Sequence, residues 1–306
     1  MATGAIDYLI NKLRPKQLYL MGRPPLLDLI TPSFHSHHPF PIPYSKKGRW
    51  SKLLFPPLPV PIEIGVSFRS SLYSRLFLTR VARHPYSFPK GLPGHMVEKY
   101  SQFVVKILNK ITNSSYSPVP FPPFLSIPPK KYLQPTIGIN PGATYGSAKR
   151  WYPDRFAQVI NQLGTKFNIL IFGGPGEEPI AHEIEKKLTI SNYQNLVAQL
   201  TLSQLASHIA GLTLFITNDS GPMHIAAAYQ VPIVAIFGPT DWRETSPWTK
   251  NAKIVRIPLP CSPCKKRHCP TGTHQCMKAI TPEMVLKAVY KLLPTSSADL
   301  KRRYKM

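Results

Sequence analysis

From residue 136 onward the chain alternates short apolar runs with amphipathic stretches, and few folds accept that pattern. Thr136–Asn140, Asn168–Phe172, Leu214–Thr217, Ile233–Phe237 and Lys253–Ile257 are nearly continuous in apolar, often β-branched residues. Strands of this kind are buried on both faces, as in a parallel sheet covered by helices. Helical spacing of apolar residues predicts helices at 153–164, 178–188, 202–210, 221–229 and 281–293. The expectation is an α/β domain whose ligands bind beyond the carboxyl ends of the strands.

The first half is less regular. A helix is expected over 2–14, stopped by Pro15, with strands at 17–21 and 62–66. A further helix at 94–112 carries Val97, Phe103, Val104, Ile107 and Leu108 on its apolar face. Residues 116–135 are too rich in proline for a regular element and are expected to form a stiff, extended linker. The chain contains 35 prolines, many of them between residues 24 and 135, read as loop and linker. Two units follow, 1–128 and 129–306, each large enough for its own core. An α/β unit normally opens on a strand. Here a helix comes first, so the N-terminal unit is expected to lack its first strand.

The net charge of +24, from 38 Lys+Arg against 14 Asp+Glu, calls for anionic partners. No recognition helix, RNA-binding signature or basic helix is evident, so nucleic acid is not the expected partner. Phosphorylated substrates and an anionic membrane face are. The chain opens without the basic-then-apolar plan of a signal peptide and has no apolar run of ~18 residues. A cytoplasmic place, at the inner face of a membrane, is expected. Acids are scarce before residue 132: only Asp7, Asp28, Glu63 and Glu98.

Four strand ends carry polar or glycine-rich turns. Asn140-Pro141-Gly142-Ala143-Thr144 leads to Lys149, where glycine admits an anion and the ammonium neutralises it. Phe172-Gly173-Gly174-Pro175-Gly176 opens a second loop; Glu177 or Glu178 after it could bind a ribose or simply begin a helix. Asn218-Asp219-Ser220-Gly221-Pro222-Met223-His224 reads as a helix start with Asp219 or Ser220 as cap, its free N–H groups forming an anion site. Phe237-Gly238-Pro239-Thr240-Asp241 is the fourth. A plain capped helix with a structural histidine is the bland alternative for the third turn. Together the turns suggest a diphosphate-linked nucleotide. There is no Walker pattern and no dinucleotide glycine signature.

The stretch from Asn140 to Trp151 (NPGATYGSAKRW), the run NDSGPMHIAAA at 218–228, the turn FGPTD at 237–241 and the tail PCSPC…HCP…CM…ITPEMV at 260–285 resemble glycosyltransferase family 9. The resemblance is strong over roughly 136–292. It is traceable in the first half through Ser67-Phe68-Arg69-Ser70 and the segment from His95 to Tyr100. It implies a GT-B fold, two Rossmann-like domains facing across a cleft, and an inverting transfer of heptose from ADP-heptose. The nearest branch of the family adds heptose to the heptose of the lipopolysaccharide inner core. The branch that adds the first heptose, another sugar specificity, or an inactive nucleotide-sugar-binding relative are the alternatives. By resemblance Gly142, Thr144, Lys149, Asp219, Ser220, Gly221 and His224 hold the donor, Lys149 stabilising the leaving diphosphate. No cofactor is required. Arg69, Arg80 and Arg83, with Arg75 and Lys90, are expected on a basic face that meets phosphorylated acceptor sugars and anionic lipid.

The family's proposed catalytic base is an aspartate in a Gly-Asp turn after the first strand. It is expected upstream of Met1, which leaves the base unassigned. Asp7 falls on a solvated helix face; Glu63 and Glu98 are the remaining candidates. Residues 195–201 also depart from the family pattern. The cysteines, Cys261, Cys264, Cys269 and Cys276, all fall within one short segment. A structural zinc site, reduced thiols packing a loop and redox chemistry are the three readings.

Overall fold

A computed structural model describes residues 1–43, 62–68, 78–79 and 81–293. The chain divides into two compact units, Met1–Phe124 and Leu125–Met306.

In the first unit, α1 (Thr3–Leu13) precedes β1 (Tyr19–Gly22), α2 (Pro24–Ile30), a 3-10 turn (Thr31–His37) and β2 (Phe40–Pro43). β3 (Ile62–Ser67), β4 (Ala82–Ser87) and α3 (Met96–Thr112) follow. The described strands pair in parallel, β1 with β2 and β3 with β4. Proline opens α2 instead of breaking it, because the first helical turn needs no N–H partner. That is why a segment read as loop is helical. α3 begins with a reciprocal cap: His95 Nδ1 accepts from Val97 N at 3.2 Å and Glu98 accepts from His95 N at 2.8 Å. Its buried face, Phe103, Val104, Ile107 and Leu108, packs with Ala5 and Leu9 of α1 and with Phe121.

Residues 113–132 form no helix or strand. The division falls at Phe124, ahead of the expected 128, and the hydrogen bonds say why. Phe124 N donates to Thr3 Oγ1 at 2.9 Å, and the Phe124 ring meets Phe34 edge-on. Beyond it, Ile127 N donates to Tyr229 Oη, Ser207 Oγ donates to Pro128 O, and Tyr132 Oη lies 2.8 Å from His208 Nδ1. The polypeptide is therefore bound to the second unit from Ile127 on.

The second unit runs β5 (Thr136–Asn140), α4 (Pro153–Leu163), β6 (Asn168–Ile171), α5 (Glu178–Glu185), β7 (Tyr193–Asn195), α6 (Leu202–Ala210), β8 (Leu214–Asn218) and α7 (Gly221–Ala228). β9 (Ile233–Ile236), α8 (Trp242–Thr245), β10 (Ala252–Val255), α9 (Gln275–Lys278) and α10 (Pro282–Tyr290) complete it. The sheet is parallel throughout, in the order β10-β9-β8-β5-β6-β7. β5 and β8 are every residue buried, as strands covered on both faces must be. β7, whose polar Tyr-Gln-Asn sequence carries no strand signal, is an edge strand. From β5 the chain winds toward β7; from β8 it winds toward β10. The loops after β5 and β8 consequently part, leaving a crevice where α/β sheets bind ligands.

Gly138 sits at the middle of β5, where a Cβ would lie 2.4 Å from Leu212 Cδ1 and 2.9 Å from both Phe172 and Phe215. Gly138→Val is expected to overpack this layer and to cost about 1–3 kcal/mol. Thermal unfolding should then begin several degrees lower, at roughly 2–4 °C per kcal/mol. An unchanged melting temperature would contradict the packing described.

Candidate functional site

Two asparagines fasten the loops at the crevice. Asn140, the last residue of β5, gives its Nδ2 to Gly142 O at 3.2 Å and to Ser220 Oγ at 3.4 Å. Asn218, the last residue of β8, donates to Pro141 O at 2.7 Å and accepts from Trp151 N at 3.2 Å. Both are buried, so their amides are committed to this bracing. Trp151, fully buried, donates its Nε1 to Ile280 O at 3.0 Å. The segment that bears Lys149 is thus held at both ends.

Lys149 closes a 3-10 turn, Ser147–Lys149. Its Nζ lies 2.6 Å from Asp219 Oδ2 and 3.4 Å from Asp219 O. Thr240 Oγ1 donates to the same Oδ2 at 2.6 Å. The pair is mostly out of water, at 13% and 5% side-chain exposure. An ammonium has three donors, and Asp219 takes two of these directions, so a third remains to meet a ligand oxygen. Asp219 thus positions the Lys149 ammonium. The Lys149 ammonium also lies 4.9 Å from the centre of the Tyr145 ring, which has the Arg267 guanidinium 5.3 Å from its centre.

α7 begins at Ser220 in an extended conformation without a side-chain cap. The Ser220 hydroxyl is engaged by Thr217 at 3.1 Å and by Asn140. The N–H groups of the first turn are left uncapped by any side chain, and Gly221 faces open space where a side chain would otherwise stand. Backbone donors and the positive end of a helix are the groups that suit an anion. His224 is half-buried on the same turn.

Gly142 is required by a close approach. A Cβ there would fall 2.1 Å from the Glu177 carboxylate. Glu177 is buried and accepts from Gly174 N at 2.8 Å within the second glycine turn, while its carboxylate packs against Gly142 of the first. The sequence pattern offered Glu177 or Glu178 as a ribose acceptor or a helix acid; Glu177 is the residue at the start of α5 and Glu178 lies in its first turn. Of the other residues expected in the site, the structure brings Lys149, Asp219, Ser220 and Gly221 together, with Gly142 beside them and Thr144 exposed on the β5 loop. Thr240, Asn140 and Asn218 join them. Each lies inside a turn already marked by sequence, but only geometry reveals the partners.

The sequence profile of glycosyltransferase family 9 (heptosyltransferase) matches residues 50–275. The chain is 39% identical over 247 residues to lipooligosaccharide heptosyltransferase 2 of Campylobacter jejuni, covering 77% of this chain and 76% of that one. The chain belongs to glycosyltransferase family 9. It is also 34% identical over 164 residues to lipopolysaccharide heptosyltransferase 2 of Salmonella typhimurium, over 52% of this chain and 47% of the relative. The solved structure of Escherichia coli ADP-heptose lps heptosyltransferase II superposes with a TM-score of 0.70 at 20% identity, covering 95% and 94% of the two chains. The fold is that of these GT-B glycosyltransferases.

In this family 9 chain three acids of the first unit, Asp7, Glu63 and Glu98, have partners among the described residues. Glu98 caps α3. Glu63 is exposed and lies 3.7 Å from Arg83 Nη1 and 3.4 Å from His84 Nε2. Asp7 accepts from Asn11 Nδ2 on the surface of α1. Arg69, Arg75 and Arg80 lie outside the described residues; Arg83 and Lys90 are exposed. No helix among the described residues is long and apolar enough to cross a membrane.

The four cysteines of the segment after β10 are all free thiols. Among the described residues, no three His, Cys, Asp or Glu side chains converge to hold a metal ion. Cys276 is buried, with its Sγ against Gly238; Cys261 is exposed. Cys269 Sγ is held by Thr271 Oγ1 at 3.4 Å and accepts from His274 N at 3.3 Å. These hydrogen bonds, Thr271 first, lower the Cys269 thiol from its ordinary value, whereas burial raises that of Cys276. A lower value means more thiolate at neutral pH, and thiolate is the nucleophile. Iodoacetamide at neutral pH is expected to label Cys269 well before Cys276, as read by peptide mass spectrometry. Equal rates would contradict this arrangement.

Proposed function

We propose that this chain transfers L-glycero-D-manno-heptose from ADP-heptose to the heptose of the lipopolysaccharide inner core, with inversion. The relatives named above support the donor and the acceptor. The observation that carries the chemistry is the Lys149–Asp219–Thr240 cluster beside the uncapped start of α7. An acceptor hydroxyl attacks the anomeric carbon as the C–O bond to the diphosphate breaks. The ADP oxygens gain negative charge in that step. A preplaced ammonium and helix N–H groups stabilise it more than the ground state. Gly142, Thr144 and His224 belong to the same donor pocket. The proton of the attacking hydroxyl needs a base, for which Glu63 and Glu98 are the candidates in the first unit.

The enzyme works in the cytoplasm, at the anionic inner face of the membrane that carries its acceptor. The charge of +24 supports this placement. Arg83, Arg69 and Arg80 are proposed to meet phosphorylated core sugars.

The test is transfer from ADP-heptose to mono-heptosylated Kdo-lipid A, followed by mass spectrometry of the product. A product heavier by one heptose is expected. Lys149→Ala should reduce kcat by about 10²–10³, with the protein still folded. Transfer to Kdo-lipid A that carries no heptose, in preference, would replace this reading with addition of the first heptose.

A further inference from the structure

A cavity of about 410 Å³ opens past the end of β9, within the second unit. Thr240 lines it while its hydroxyl bonds Asp219, so the cavity adjoins the phosphate rim. Trp242 stands in its wall, with the guanidinium carbons of Arg243 and Arg256 each 5.4 Å from the indole ring. Asp241 caps α8 by accepting from Arg243 N at 3.1 Å and lies 3.7 Å from Arg243 Nη1. No carboxylate pairs with Arg256 among the described residues. The Trp242 indole N–H is buried and has no acceptor among them either. Ser262 fixes the opposite wall by donating to Gly238 O at 2.6 Å.

A flat aromatic face beside guanidinium groups suits a saccharide that carries a negative group. The ring packs the apolar face of the sugar, and the guanidinium forks a phosphate or a carboxylate. A buried donor without a partner has a cost that a hydrogen bond to a ligand oxygen would offset. A neutral heptose would leave the positive charge unanswered. We infer that this cavity is a subsite for an anionic sugar unit of the acceptor, with Arg256 as its charge partner and Trp242 as its platform. The assignment to the acceptor rests on the heptosyl-transfer reading above.

The test compares the full-length enzyme with Arg256→Gln and Trp242→Leu. The KM for a phosphorylated, mono-heptosylated Kdo-lipid A should rise about tenfold in each, with kcat and the KM for ADP-heptose within about twofold. A phosphate-free acceptor separates the two anions. If the Arg256→Gln effect vanishes with it, the group is a phosphate; if the effect persists, it is the Kdo carboxylate. An unchanged acceptor KM, or a rise in the donor KM instead, would overturn the proposal. Should the chain transfer no heptose at all, calorimetry with mannose 6-phosphate and with free Kdo still decides. Binding that Arg256→Gln weakens supports an anionic-sugar site, and binding of neither probe refutes it. Arg256 is exposed on the surface, so its variant tests the site even if Trp242→Leu fails to fold.

Discussion

Asp219 holds the ammonium of Lys149 at 2.6 Å, and both side chains lie mostly out of water. Leaving either one unpaired there would cost several kcal/mol, about 3–5 in comparable buried pairs. The pair therefore links the β5 loop to the β8 loop. Thr240 shares the same carboxylate oxygen and draws the β9 loop into the arrangement. Three strand ends are coupled through one oxygen atom.

That coupling is possible only because of the sheet order. The chain reverses its winding between β5 and β8, so the loops that follow these neighbouring strands leave in opposite directions. Asn140 and Asn218 fill the gap with amides that bond across it. Gly142 gives way to the Glu177 carboxylate, which adds the β6 loop. These bonds place the Lys149 ammonium in advance, and a preorganised charge stabilises a leaving group without reorganisation in the reaction step.

The second unit was legible in sequence because its strands are apolar without interruption and its helices are amphipathic. Periods of that strength survive tertiary context. β7 was not, since Tyr193-Gln194-Asn195 has no apolar run and owes its strand geometry to pairing with β6. α2 was hidden by Pro24 and Pro25, which mark a helix start as readily as a loop. In the site, the residue types pointed to a phosphate, and four turns pointed to one rim. Which side chain meets which could not be read. Asp219 and Thr240 lie far enough apart in sequence that only the fold brings them into contact, and Glu177 looks like any acid at a helix start. The cysteine spacing left a metal site, packed thiols and redox chemistry open; the loop places Cys276 in the core and Cys261 at the surface.

In the proposed function the Lys149–Asp219 pair is the element that recognises a diphosphate. Calorimetric titration of the enzyme with ADP and with AMP tests this most directly. ADP is predicted to bind at least about tenfold more tightly than AMP, a difference of roughly 1.4 kcal/mol. In Asp219→Asn that preference should largely disappear, while AMP affinity stays nearly the same. Equal affinities for ADP and AMP in the unmodified enzyme, or a preference that Asp219→Asn leaves intact, would contradict it.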